Sequence, residues 1–382
     1  MSKRFSNSSS TRSLFHVVAL FLAAMALSIA PVSASAQQTA TAKAHEPFAD
    51  PRANANKIGA ELVTRGIPGL AIAVALDGKI VYAEGFGYAD LEQRVPAWPT
   101  TKFRIGSVSK PLTAAALMKM VEAGKLDLDA PIQKYVPSFP DKGAKITLRL
   151  LAGHLGGIRH YQGNEFLIDK HYSSVLEGLK VFENDPLVAP PGTKFNYSSY
   201  GFNLLSAAIE AVCGESFLNC VQDQVFTPLN LRNTLPDQNR PIIEQRSRFY
   251  SREDDGSLDN SPYVDNSYKW AGGGFLSSAE DLAHFGSALL QPGYLKAESL
   301  KLLFTSQKTN AGKETGYGMG WSVRKSASGQ TIYEHSGGSV GGSCQLIIYP
   351  DSHIVAVLLT NLGDAPWKIA DVESIAEAFA KK

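Results

Sequence analysis

Ser107-Val-Ser-Lys110 places an alcohol and an amine three residues apart at the mouth of a helix-forming run. Pro111 to Ala123 holds strong helix formers behind an early proline, and Gly124 supplies a stop. Residues three apart on a helix are neighbours, with Cβ atoms about 5–6 Å apart. A serine hydroxyl is a weak nucleophile at neutral pH and needs a base within hydrogen-bond reach. The spacing therefore offers a Ser-Lys pair for covalent acyl chemistry. A second copy, Ser322-Val-Arg-Lys325, lies in an extended-looking stretch that points i and i+3 to opposite faces, and it is read as outside the chemistry.

Two further motifs follow in chain order. Tyr197-Ser-Ser199 comes after Pro190-Pro-Gly-Thr-Lys-Phe-Asn, and His335-Ser-Gly337 ends a strand-like run that begins at Thr331. A nucleophile motif on a helix, a tyrosine motif in a helical region and a His-x-Gly motif on a strand resemble the serine β-lactamase and penicillin-binding D,D-peptidase superfamily, over roughly residues 67–361. Gly85-Phe-Gly-Tyr-Ala-Asp-Leu-Glu-Gln-Arg-Val-Pro96, Glu122-Ala-Gly-Lys-Leu-Asp-Leu-Asp129 and His154-Leu-Gly-Gly-Ile-Arg-His-Tyr161 are similar to the mitochondrial serine β-lactamase-like branch and its bacterial relatives. Trp270-Ala-Gly-Gly-Gly-Phe-Leu-Ser-Ser-Ala-Glu-Asp281 is similar to a segment of the class C, esterase and D,D-peptidase branch.

The resemblance implies an α/β (α+β) D,D-peptidase/β-lactamase fold: an antiparallel sheet flanked by helices, plus an all-helical lobe. It implies Ser107 as the nucleophile of an acyl-enzyme, Lys110 as base or proton relay, Tyr197 in the same proton network, and His335 of the third motif as the fourth catalytic residue. Which of Lys110 and Tyr197 takes the first proton stays open. The oxyanion hole would be the backbone N–H groups of Ser107 and Gly338, and Ser199, Ser336 and Gly337 would meet substrate. Glycines at 337, 338, 341 and 342 would let substrate lie close to the strand. Two positions depart from the β-lactamases of this branch: Ser199 stands where Asn is usual, and His335 where Lys is usual. An imidazole is fully charged only below a pKa near 6.5, so recognition of an anionic β-lactam should weaken while peptide or ester acyl transfer stays compatible.

The surrounding pattern supplies the elements. Large apolar residues at 70, 72, 74 and 76 alternate with alanines, as in a strand covered by close-packed helices on one face. Asp77-Gly78 is a hairpin turn and Lys79 to Gly87 its partner strand. Residues 126–260 read as mostly helical, with helices at 199–213 and 216–225 between proline breaks. Strands follow at 317–325, 331–334, 343–349 and 353–360. A closing helix from Pro366 turns Ile369, Val372, Ile375, Ala376 and Phe379 to one side. The lobes would be 53–125 with 261–382, and 126–260.

Residues 1–36 carry Lys3, Arg4 and Arg12, an apolar run, and Ala34-Ser35-Ala36. They read as a cleaved export signal followed by a flexible lead at 37–52, which places the protein in the periplasm or outside the cell. An organellar transit peptide and a retained anchor are the alternatives. The whole chain has 37 Lys and Arg against 36 Asp and Glu. Loss of three basic residues with the signal leaves it slightly acidic, with no basic run for nucleic acid. The substrate is therefore expected to be a small molecule or peptide, with no stable membrane span after signal removal. Cys213, Cys220 and Cys344 form no metal pattern, and no cofactor is expected. A Cys213 to Cys220 bridge requires the chain to turn at Gly214, because an unbroken helix would separate them by about 10 Å. Cys344 opens an apolar run and reads as a buried strand residue.

A true class C-type β-lactamase is one alternative, and two other readings compete. Gly337-Gly-Ser339-Val-Gly341 matches a nucleophile elbow, but that elbow needs a helix after the turn and a later Asp and His, whereas another strand and only His353 follow. A non-catalytic binding or assembly module on the same fold is the other alternative, against which the joint presence of Ser107, Lys110 and Tyr197 argues.

Overall fold

The alternation of residues 69–76 builds the centre of a seven-stranded antiparallel sheet. The computed structural model describes residues 48–380. The signal read in 1–36 and the lead as far as residue 47 lie outside the described residues. The strands are β1 (Gly69–Leu76), β2 (Lys79–Asp90), β3 (Val95–Pro96), β4 (Phe103–Arg104), β5 (Leu235–Pro236), β6 (Tyr250–Arg252), β7 (Leu258–Asn260), β8 (Phe275–Ser277), β9 (Ser322–Lys325), β10 (Thr331–Ser339), β11 (Gly342–Tyr349) and β12 (Ile354–Thr360). The large sheet runs β3-β2-β1-β12-β11-β10-β9, so the first and last thirds of the described chain meet at β1 and β12. Asp77 and Gly78 both take positive φ, at 51° and 81°, the left-handed pair that a two-residue hairpin turn requires.

The helices are α1 (Ala49–Thr64), α2 (Ser109–Glu122), α3 (Leu148–Ala152), α4 (Val175–Leu179), α5 (Ser199–Cys213), α6 (Phe217–Val221), α7 (Trp270–Gly273), α8 (Ala279–Ala288), α9 (Ala297–Phe304) and α10 (Ile369–Ala380). One face of the sheet sends Leu70, Ile72 and Val74 against Leu62 of α1 and Ile375 and Phe379 of α10. The other sends Ala71, Ala73 and Ala75 toward α8. Small side chains let α8 approach closely: a Cβ on its Gly286 would lie 2.6 Å from Val355. Val372, Ile375, Ala376 and Phe379 of the closing helix are buried as their spacing predicts, but Ile369 at its first turn is exposed.

Three expectations change. Residues 49–52, placed in the flexible lead, already belong to α1. Residues 126–260 hold α5 and α6 as expected, but much of the remainder is turn and loop, and β5, β6 and β7 lie within it. Prolines at 137, 140, 186, 190, 191 and 228 keep interrupting the helical ladder there. Residues 317–321 are not strand. The cysteine reading holds: Gly214 adopts φ 83° and ends α5, and Cys213 and Cys220 form a disulfide with Cα atoms 6.2 Å apart. Cys344 is buried in β11, where its Sγ donates to the Ile105 carbonyl.

Candidate active site

The nucleophile candidate sits where a small sheet hands over to a helix. β4 pairs with β8, the Ile105 N–H donates to the Phe275 carbonyl, and Gly106–Val108 then forms a 3-10 turn that runs into α2. Gly106 has φ +44°, and a Cβ there would lie 2.4 Å from the Gly338 carbonyl oxygen and 3.0 Å from its nitrogen. Only glycine lets the turn press against the β10 backbone this closely. Ser107 is half-buried and faces a pocket of about 410 Å³ walled by Phe195, Tyr197, Tyr317, Ser322, His335, Ser336 and Gly338.

Lys110 is fully buried one turn later. Its Nζ lies 3.0 Å from Ser107 Oγ and 3.0 Å from Ser199 Oγ, and donates to the Gly272 carbonyl at 2.6 Å. Three neighbours suit a free amine, which has two N–H donors and one lone pair, and among the described residues no carboxylate lies in ion-pair range. Burial first, and the Lys269 charge second, hold its pKa well below the usual lysine value.

The tyrosine motif is fixed from beneath by two histidines. Ser198 caps α5 by accepting from the Gly201 N–H, while its own hydroxyl donates to the Arg159 carbonyl. The N–H groups of Ser198 and Ser199 donate to Nδ1 of His154 and of His160. Both histidines thus act as structural acceptors, as their Gly-rich loop suggests. Burial lowers the pKa of each, and the Lys110 charge adds to the effect, with His160 reaching about 4. The Tyr197 ring lies 4.3 Å from the His154 ring and 4.8 Å from Lys110 Nζ. Burial raises the pKa of its phenol, a shift partly offset by the neighbouring Ser107.

The third motif places His335 inside the same cluster. Its Nδ1 lies 2.6 Å from the Ser336 carbonyl, so that nitrogen carries the proton, and its Nε2 lies 2.9 Å from the Tyr317 hydroxyl, which donates to it. Burial and the Lys110 charge push its pKa down to about 3, so the ring is neutral. Ser336 and Gly338 are exposed to the pocket. Gly337 departs from the sequence reading: it is buried, a Cβ there would lie 2.1 Å from the Ile105 carbonyl oxygen, and it does not line the pocket. Gly341 and Gly342 likewise pack against Phe249 and Arg104, which leaves Gly338 as the open glycine of the set. Ser199 is buried against Lys110 rather than forming a substrate wall.

The structure therefore brings Ser107, Lys110, Tyr197, Ser199, Ser336, His335 and Gly338 together. It adds Tyr317, Phe195, Lys269 and the Gly272 carbonyl, which the sequence reading missed. Tyr317 stood inside an expected strand, and Lys269 is the residue immediately before the Trp270 segment. Ser322 lines the pocket, but Lys325 points away, where it donates to Thr331. Ser339 is buried in a strand-turn-strand unit, and His353 is an exposed residue 3.8 Å from Asp77, so the elbow reading has no base.

Comparison with known proteins adds to this arrangement. The sequence model of the Beta-lactamase family matches residues 46–378. Serine beta-lactamase-like protein LACTB, mitochondrial, of Homo sapiens is 38% identical over 381 residues, which is 75% of this chain and 69% of that protein. Penicillin-binding protein 4* of Bacillus subtilis (strain 168) is 29% identical, over 76% of this chain and 67% of that one. The octameric penicillin-binding protein homologue from Pyrococcus abyssi superposes with a TM-score of 0.73 at 28% identity, over 85% of this chain and 76% of that one.

Proposed function

Because this chain belongs to the Beta-lactamase family of serine hydrolases, we propose that it hydrolyses uncharged esters and amides through an acyl-enzyme on Ser107. The observation that carries this is the fully buried Lys110 amine, 3.0 Å from Ser107 Oγ with no carboxylate among the described residues to hold it charged. The Ser107 proton passes to the Lys110 lone pair as Oγ attacks the carbonyl carbon. The oppositely directed shifts favour Lys110 over Tyr197 as first acceptor, since burial disfavours both the ammonium and the phenolate. The N–H groups of Ser107 and Gly338 receive the developing oxyanion, each worth about 2.7–4 kcal/mol. Tyr197, kept protonated, donates to the leaving group and recovers a proton from Lys110. Water then attacks the acyl-enzyme through the same relay in reverse.

The walls supply the substrate class. Among the described residues no charged side chain lines the pocket, and the His335 ring is neutral with both nitrogens engaged. A leaving group bearing a carboxylate finds no cation on this wall. Export is the compartment we propose: the 1–36 leader supports it, as does the Cys213–Cys220 disulfide, which suits an oxidising environment. Among the described residues no single helix is long and apolar enough to cross a membrane.

Turnover of p-nitrophenyl butyrate, an uncharged D-amino acid amide and a carboxylate-bearing cephalosporin tests the reading, with Ser107→Ala as control. We expect kcat/KM for the ester or the amide to exceed that for the cephalosporin by about tenfold or more, the scale of one lost charged hydrogen bond. The cephalosporin turning over fastest overturns the substrate class. Full activity in Ser107→Ala overturns the mechanism.

A further inference from the structure

Lys269 is 2% exposed, and among the described residues its amine has neither an ion pair nor a hydrogen-bond partner. A lysine buried in this way is rare and costs stability. Its Nζ sits in an aromatic box, 4.3 Å from the Phe166 ring, 5.3 Å from Tyr268 and 5.6 Å from Tyr161. The box connects to the candidate base by two routes. Tyr161 neighbours Ser199, which offsets part of the upward shift that burial gives its phenol, and Ser199 Oγ is 3.0 Å from Lys110 Nζ. Along the chain, Lys269 immediately precedes α7, whose Gly272 carbonyl accepts from Lys110.

Two buried amines thus share one acid-poor region. The carboxylate that pulls on Lys269, Asp237, already takes Arg104 Nε at 2.6 Å, Arg246 at 3.5 Å and Asn266 at 2.8 Å, and the Arg104 charge opposes its pull. Glu165 is engaged by Arg159. The remaining titratable groups around Lys110 are His154, His160 and His335, whose pKa values are lowered, and Tyr161, Tyr197 and Tyr317, whose pKa values are raised, so all six are neutral near pH 7. Aromatic faces stabilise a cation and do nothing comparable for a free amine. Lys110 has fewer rings, at 4.8 and 5.7 Å. A proton entering the pair therefore belongs on Lys269.

We propose that Lys269 is a positioning residue: it holds the positive charge of this buried pair and so keeps Lys110 as the free amine that takes the Ser107 proton. The inference rests on Ser107 and Lys110 acting as nucleophile and base. Burial brings Lys269 to about 7, so its charge is present below neutrality and there adds to the larger effect of burial in keeping Lys110 deprotonated.

The test is the rate of covalent labelling of Ser107 by a fluorophosphonate from pH 4.5 to 9, followed by intact mass. Lys269→Met and Lys269→Gln should move the acid limb of the profile upward by about one pH unit or more, because removing a nearby like charge makes Lys110 easier to protonate. Lys269→Arg should keep the limb where it is. The thermal midpoint of Lys269→Met at pH 6 should stay level or rise, since an unpaired buried charge is gone. An unmoved limb in both neutral variants, a rate lost equally at every pH, or a lower thermal midpoint in both each overturn the proposal while Ser107 remains the labelled residue. Labelling that persists in Ser107→Ala overturns the underlying reading of the site instead.

Discussion

Ser107–Lys110 and Ser322–Lys325 carry the same Ser-x-x-Lys pattern and line the same pocket with their serines, yet they differ in everything that makes an amine basic and available. The first lies across a 3-10 turn into α2, so its lysine folds back beneath its serine and is sealed from water. The second lies on β9, where alternation sends Lys325 to the solvent side with Thr331 as its partner. A short motif is chemical only when the secondary structure brings its ends together and the surroundings discharge the base.

The largest expected effects separate the two copies. Ser107→Ala should abolish ester turnover, a loss on the order of 10⁴-fold or more, with no mass adduct from a fluorophosphonate. Ser322→Ala should keep kcat and alter KM by a few-fold at most, because it only lines the pocket. Equal loss in both variants would break the comparison. Lys110→Met should lower kcat/KM by about 10²- to 10⁴-fold, whereas Lys325→Met should leave it unchanged in the same assay.

The backbone next to each copy gives a second, smaller contrast. Gly337 lies beneath the turn that carries Ser107, and an added methyl meets the Ile105 carbonyl oxygen at 2.1 Å. Gly329, in the turn between β9 and β10, has φ +83° and open space around it. Gly337→Ala should destabilise by about 2–3 kcal/mol through overpacking, against about 1 kcal/mol for Gly329→Ala through positive-φ strain alone. Urea midpoints measure both, and reversal of the order would show that the contact between β10 and the Ser107 turn is loose.

Legibility from sequence follows the range of the interactions. Asp77-Gly78, the alternation of 69–76 and the closing helix are local signals, and each produces the element that its pattern predicts. Ser107 and Lys110 are legible for the same reason: three residues on a helical turn fix their distance. Tyr317 and Lys269 are not, because each matters through partners far along the chain, His335 for the first and the box around Phe166 for the second. The burial of Gly337 depends on Ile105 arriving from another sheet, which no pattern around residue 337 encodes. The loops of 126–260 escape for a third reason: prolines mark where helices stop but not where the chain goes next.

Buried histidines also set the acid response, and here the expected effect is smallest. His335 has a folded pKa of about 3 against about 6.5 in an unfolded chain. Between those values the unfolded chain binds a proton that the native ring refuses, so stability from this group is complete above about pH 6.5 and drains away as pH falls toward 3. His353, exposed beside Asp77, provides the surface control. Urea midpoints at pH 7 and pH 4.5 should therefore fall less in His335→Asn than in wild type, by on the order of 1–2 kcal/mol, while His353→Gln should follow wild type. Buried His154 shifts in the same direction, so some acid sensitivity should survive in His335→Asn. If the His335 and His353 variants respond alike, the ring at 335 is reaching water, and the uncharged pocket wall on which the substrate preference depends is lost with it.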